Sequence, residues 1–309
     1  MSLKTSVLIY LQDKDLTNKF VYDCLDSIRL QTKPADQVII HSNKGVVAGY
    51  LAKNPGLDWQ ILYQDDMYNK EAVFRKLMQI ASGDIIFLSD GQSVWRRDKI
   101  EKLTGIFQDK PAIDFLLTNY TSFKFDAGEY DEKKESYPEK SDEQLQMYLQ
   151  KSLLTIPRVP YDTMSIRRDF VIRHLSTIKK CSSANIVATL ALAQLTDAAY
   201  LLKESMVKIP KDCLIINTHD HLTLDEIKKN VGSQIAMCEY LNDFNVHEVH
   251  NNKMRHRNYK ILNTQIKVLK HRRSIWGYNS IWHALLVLPH IGYYPDGIAG
   301  IFWDVTNRT

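Results

Sequence analysis

The 309-residue chain is 44% hydrophobic and 25% charged, with a formal net charge of +4. This is an ordinary globular composition, long enough for one large domain or two small ones, and no nucleic-acid partner is expected from so modest a charge. Its four cysteines, Cys24, Cys181, Cys213 and Cys238, lack CxxC spacing, which argues for buried thiols in a reducing compartment over a zinc site or disulfide framework.

Met1-Ser2-Leu3-Lys4 runs straight into an apolar stretch, Ser6–Tyr10, read as a first buried strand. Neither a signal peptide nor a spanning helix is expected, because no run of about 18 apolar residues occurs. Asp13 to Asn18 is a polar turn. Phe20 to Arg29 then carries Phe20, Leu25 and Ile28 at helical spacing. Gln31 to Asp36 includes Pro34 and breaks the helix, and Gln37–Ile40 is a second strand. Strand, helix and strand in so short a span form a βαβ unit and imply a parallel sheet.

The second strand ends in His41-Ser42-Asn43-Lys44-Gly45. Ser42 and Asn43 can hydrogen-bond a ligand, and Lys44 can meet an anionic group. A plain polar loop is the other reading. Trp59–Tyr63 is a short third strand, and Asn69–Ile80 a helix with Val73, Leu77 and Ile80 facing inward.

Ala81–Leu103 organises the chain. Ser82-Gly83-Asp84 is a small-residue turn, and Ile85-Ile86-Phe87-Leu88 is too short for a helix and rich in strand formers. It runs into Ser89-Asp90-Gly91-Gln92-Ser93-Val94-Trp95. A polar, glycine-containing cluster at the carboxyl end of a buried strand is where open α/β sheets place ligands. Helical spacing resumes near Asp98 with Ile100, Leu103 and Ile106. Trp95 reads as a packing residue in preference to a sugar platform.

Ile113–Leu117 makes another strand, and Asp126–Gln144, acidic, lysine-rich and poor in apolar residues, reads as an exposed mobile loop. Residues 226–249 suggest a helix carrying Ile235, Met237, Leu241 and Phe244. From Val249 to Pro295 there is no acidic residue. Lys253, Arg255, Arg257, Lys260, Lys267, Lys270, Arg272 and Arg273 fill its first half. Its second half is apolar and aromatic, with Trp276, Tyr278, Trp282, Tyr293 and Tyr294, and is interrupted by Pro289 and Gly292.

Ser89-Asp90, Val94-Trp95 and Lys99-Ile100-Glu101-Lys102-Leu103 together resemble the family 2 glycosyltransferases, in particular the rhamnosyltransferase-like members, which read Ser-Asp-Gln-Asp-Asp-(Ile/Val)-Trp here. Cys24-Leu25-Asp26-Ser27-Ile28-Arg29-Leu30-Gln31-Thr32 is similar to the family's first helix. Thr163–Phe170 is similar to its Cys-Thr-Met-x-(Phe/Ile)-Arg-Arg-(Glu/Asp) acceptor-side strand and turn. Val207–Pro210 and Leu214–His219 are similar to its last strand and Arg-x-His element. The resemblance covers residues 4–225.

The resemblance implies a GT-A-like α/β fold, a mixed sheet with helices on both faces, assigned to a domain over 1–248. The basic and aromatic composition of 249–309 sets that stretch apart as a helical C-terminal extension. By position the resemblance makes Ser42, Asn43, Asp90, Gln92, Arg167 and His219 the substrate- and nucleotide-binding residues, with Asp90 as a metal ligand for Mg or Mn. Three stations depart from the family. The acidic pair after the second strand is replaced by His41-Ser42-Asn43, and Gln92 and Ser93 stand where acids do. Cys181-Ser182-Ser183 stands where the general base begins a helix.

Two readings follow. One is a divergent bacterial transferase in polysaccharide biosynthesis, passing a sugar from a nucleotide sugar to a cell-surface glycan, glycoprotein or lipid-linked acceptor. The other is an inactive member acting as a binding or partner subunit. The expected location is cytoplasmic, with peripheral contact at the inner membrane face through residues 253–294; homo- or hetero-oligomers stay open.

Overall fold

A computed structural model describes residues 2–11, 20–42, 46–56, 58–63, 70–126, 129–135, 160–178 and 198–210, with helical positions in 232–243 and 262–271. The elements, in order, are β1 (Thr5–Leu11), α1 (Phe20–Arg29), β2 (Gln37–Ser42), α2 (Val46–Lys53), β3 (Trp59–Tyr63), α3 (Lys70–Ile80) and β4 (Ile85–Ser89). There follow β5 (Val94–Trp95), α4 (Lys99–Asp109), β6 (Phe115–Asp126) and β7 (Glu129–Glu135). A 3-10 turn (Tyr161–Thr163) then leads into β8 (Met164–Arg167), α5 (Arg168–Ile178) and β9 (Ala199–Pro210).

The strands form one mixed sheet in the order β3-β2-β1-β4-β8-β6-β9-β5, with β7 paired to β6. β3, β2, β1 and β4 are parallel. β8 runs antiparallel to β4 and to β6. The chain goes from β1 outward to β2 and β3, then returns to place β4 on the other side of β1. The carboxyl ends of β1 and β4 therefore flank a switch point, the place where such sheets hold ligands.

Strand alternation sorts the core into two faces. Val7, Ile9 and Leu11 of β1, Val38 and Ile40 of β2, and Ile85 and Phe87 of β4 pack with α1, α2 and α4 through Val21, Leu25, Ile28, Val47, Ile100, Leu103 and Phe107. On the other face Tyr10 meets Phe74 of α3, with ring centroids 6.0 Å apart. Helices thus cover both faces, as the sequence implies. Burying each such side chain contributes about 1.5–3 kcal/mol.

The structure differs from the sequence reading at several points, among them Ile80 at the end of α3, which is exposed and does not face inward. α2 occupies residues for which no helix is expected. Glu129–Glu135, read as the start of a mobile loop, is a strand in antiparallel register with β6, Phe125 opposite Tyr130 and Lys124 opposite Asp131. Backbone pairing along the long β6 supplies what its apolar content lacks, and a charged strand suits an edge. β6 itself runs well past the apolar Ile113–Leu117 segment.

The chain divides into two compact units. One holds residues 1–144, 159–175 and 198–217; the other holds 145–158, 176–197 and 218–309. Within the second, Ile235, Cys238 and Leu241 are buried, as are Leu262, Ile266 and Leu269, and Lys270 pairs with Glu239 at 2.6 Å. Met237 and Phe244 lie outside the described residues. No helix among the described residues is long and apolar enough to cross a membrane.

Candidate functional site

β4 delivers Ser89 and Asp90 to the switch point, and the chain must then turn sharply to reach β5. Gly91 makes that turn at φ +76°. A Cβ there would lie 1.9 Å from Cδ2 of Leu11, so both the backbone angle and the space call for glycine. The Ser89 hydroxyl accepts the Gly91 N–H at 3.2 Å. At the far end of the loop the Trp95 N–H donates to Oγ of Ser27 on α1 at 2.9 Å.

Beneath this loop lies a buried polar cluster. Asp162, in the turn preceding β8, is fully buried. Its Oδ2 accepts the Asp90 N–H at 3.2 Å, and its Oδ1 accepts the Trp95 Nε1–H at 2.7 Å. The fully buried Lys99 donates from Nζ to the Asp162 carbonyl oxygen and sits 3.4 Å from the centroid of the Trp95 ring. Trp95 is 3% exposed and belongs to the core, as the sequence suggests.

Burial pushes the Asp162 carboxyl above the usual carboxylate range, and the neighbouring Asp90 charge adds to the effect. Burial also pulls the Lys99 ammonium below the usual lysine range, opposed by the attraction of Asp162. Both shifts favour neutral forms, the expected response of charges removed from water. Cys24 of α1 lies 3.5 Å from the Ser89 hydroxyl. Burial, then Asp162, drives its thiol up, leaving an inert packing residue.

The implied site residues are distributed as follows. Asp90 is half-buried at the loop's start, and Gln92 is 8% exposed within it. Ser42, at the end of β2, is fully buried. Arg167 is tied to the framework. Its Nε donates to the Ile113 carbonyl at 2.7 Å and its Nη2 to the Phe107 carbonyl at 2.6 Å. Asn43 and His219 lie outside the described residues, as do Cys181–Ser183.

His41, next to Ser42, is 1% exposed, and neither ring nitrogen has a hydrogen-bond partner. Burial, then the charge of Lys76, lowers its pKa. Its ring lies 5.5 Å from the Tyr10 ring. Beside the loop's Val94 end, a cleft of about 480 Å³ is lined by Phe20, Asp23, Asp26, Ser27 and Leu30 among others.

The fold family implies a divalent cation, and the donor set can be tested against one. Mg²⁺ and Mn²⁺ take several hard oxygen ligands. Of the two loop-associated carboxylates, Asp162 already accepts an N–H on each oxygen, and Gln92 offers a neutral amide. Asp90, the other carboxylate of the loop, is itself engaged within the protein, so the described residues of the loop do not by themselves supply the several hard oxygens such a cation takes.

Asp162 and Lys99 escaped the sequence reading as site-shaping residues. The available signal was Asp162 in the place of the cysteine of the family's Cys-Thr-Met pattern.

The sequence matches no family model, and no curated protein matches it. Solved structures do resemble it. S. aureus TarS 1-349 in complex with UDP superposes with a TM-score of 0.61 at 10% identity, over 99% of this chain and 82% of that one. S. aureus TarS gives 0.58 at 11% identity, covering 99% of this chain and 50% of that one. TarS 1-349 in complex with UDP-GlcNAc gives 0.55 at 12% identity, over 98% of this chain and 89% of that one. The fold is GT-A-like. At such identities the likeness carries the fold and not the chemistry.

Proposed function

We propose that this chain is a divergent glycosyltransferase of the family 2 type, binding a nucleotide sugar at the loop Ser89–Trp95 and transferring the sugar to a cell-surface glycan, glycoprotein or lipid-linked acceptor. The supporting observation is the loop's place, at the carboxyl end of β4 beside the β1 switch point, in a fold shared with a protein solved in complex with UDP and UDP-GlcNAc. Asp90 is the loop carboxylate placed to meet a ribose hydroxyl or a cation brought by the diphosphate. Ser42, Asn43, Gln92 and His219 are the remaining nucleotide-side candidates. Arg167 serves by holding the acceptor-side strand.

A second reading, a binding or partner subunit without turnover, is favoured by one specific feature. Ser93 and Gln92 occupy positions where the resembling family carries acids, and Asp162, the nearby carboxylate, has both oxygens engaged. Calorimetric titration with a panel of nucleotide sugars, with and without Mn²⁺, followed by a hydrolysis assay, separates the two. Binding with turnover supports the transferase, binding without turnover supports the subunit, and absence of binding across the panel rejects both nucleotide-based readings.

A further inference from the structure

We propose that Asp162 is a positioning residue for the Ser89–Trp95 loop, and that the loop's ability to hold a nucleotide diphosphate depends on its carboxylate. The second half rests on the nucleotide-sugar reading above. The first half stands on geometry alone.

One carboxylate reaches both ends of the loop. Oδ2 holds the backbone N–H of Asp90, where the chain leaves β4. Oδ1 holds the indole N–H of Trp95, where it enters β5. Asp162 therefore spans the segment that must bend through Gly91. Its backbone is pinned separately, by the bond from Lys99 to its carbonyl oxygen. The Thr163 hydroxyl and N–H both donate to the Pro160 carbonyl, at 2.7 and 2.9 Å, which closes the turn that carries it. The side chain is fully buried and both its oxygens accept hydrogen bonds, so its role is to shape the loop and not to touch a ligand.

Asp162 also couples two parts of the sheet. It precedes β8, which pairs antiparallel with β4 in the register Phe87 to Ser165. A shift of β8 along β4 moves the carboxylate against the Asp90 N–H. The shape of the donor loop is thus set by the strand that the family resemblance places on the acceptor side.

Asp162→Asn tests this with little change in volume. An amide has one acceptor oxygen, so one of the two N–H donors then faces an NH₂ group. The bond from Lys99 goes to the main-chain carbonyl and stays available. The two readouts are amide hydrogen exchange across Ile85–Trp95 and calorimetric titration with UDP, on the full chain.

The expected result is a folded variant whose Asp90 and Gly91 amides exchange about tenfold faster, with UDP affinity down about tenfold and β1 and β2 keeping their protection. Unchanged exchange at Asp90 and Gly91 in the folded variant overturns the positioning role. Faster exchange with unchanged UDP affinity overturns only the link to nucleotide binding. Wild-type protein that binds no nucleotide sugar sinks the functional reading, and the exchange result still decides the role of Asp162. If Asp162→Asn does not fold, Trp95→Phe removes one of the two donors and leaves the carboxylate in place. It is then expected to speed exchange at Gln92–Trp95, and unchanged exchange there counts against the proposal.

Discussion

Trp95 and Asp162, 67 positions apart in sequence, are joined by a 2.7 Å hydrogen bond from the indole Nε1–H to Oδ1. The same indole carries the Lys99 ammonium 3.4 Å from its centroid. Ring, ammonium and carboxylate thus form one buried unit under the candidate donor loop. Such a unit specifies a geometry, because each member left alone in the interior is costly.

Lys99→Met tests the weight of that unit. The substitution removes the amine that donates to the Asp162 carbonyl oxygen and lies over the Trp95 ring, so that buried carbonyl loses this donor. We predict a loss of stability of about 1–3 kcal/mol, the range for a buried polar group left unsatisfied, read as a shift in the urea midpoint at unchanged slope. A loss under about 1 kcal/mol, the size of a surface pair, would show that Lys99 is not held as described.

Gly83 and Gly91 make a second, graded prediction. A Cβ at Gly83 would lie 2.5 Å from the backbone nitrogen of Ser6 and 2.6 Å from the carbonyl carbon of Thr5. These are main-chain atoms of a central strand and cannot give way. Gly91→Ala meets a movable Leu11 side chain but must also hold φ +76°, a strain of order 1–3 kcal/mol. Both variants should lower the melting temperature, with Gly83→Ala depressing protection in β1 and Gly91→Ala disturbing mainly the loop. Wild-type melting for either variant contradicts the packing described.

The buried His41 predicts a pH dependence with a definite sign. Its folded-state pKa lies below the ordinary histidine value, which is about 6.5. The unfolded chain takes up a proton there as pH falls, while the folded protein resists. The stability due to neutral His41 is therefore full above about 6.5 and is lost as pH drops toward the folded-state pKa. His41→Phe, which cannot titrate, should gain stability relative to wild type between pH 7 and 5, measured by denaturant midpoints. Parallel stability curves for the two proteins would mean that His41 finds a partner in solution.

The basic, then aromatic, C-terminal stretch gives a fourth prediction. With lysines and arginines over 253–273 and no acids from 249 to 295, it should bind anionic vesicles in a salt-reversible way, at roughly 1 kcal/mol per basic residue near the surface. Liposome flotation of the full chain and of a truncation near Val249 measures this. Equal flotation of the two, or none at low salt, assigns the stretch to packing or an oligomer interface.

The parallel half of the sheet was legible because each element carries its own local signal. Ser6–Tyr10, Gln37–Ile40 and Ile85–Leu88 are apolar runs, and Phe20–Arg29 shows a helical stripe whose Leu25 and Ile28 are buried. β7 carries no such signal, since its strand state comes from pairing with β6. Asp162 was illegible for a related reason. A lone aspartate before a short strand reads as a turn residue until the fold brings Trp95 and Asp90 onto its two oxygens. Arg167, which the family resemblance places among the substrate-side residues, donates to the carbonyls of Phe107 and Ile113, and nothing local in the sequence announces those partners.

Amide exchange with and without saturating UDP-GlcNAc shows whether a nucleotide sugar binds at the Ser89–Trp95 loop. Binding is expected to be weak and to respond little to Mn²⁺, because charge-assisted contacts are the strong ones and, within the loop Ser89–Trp95, Asp90 is the one charged side chain. Protection on binding should centre on Asp90 and Gly91, extending to the end of β2 at Ser42. Binding that protects other segments and leaves these amides unchanged, or no binding at all, would contradict the proposed site.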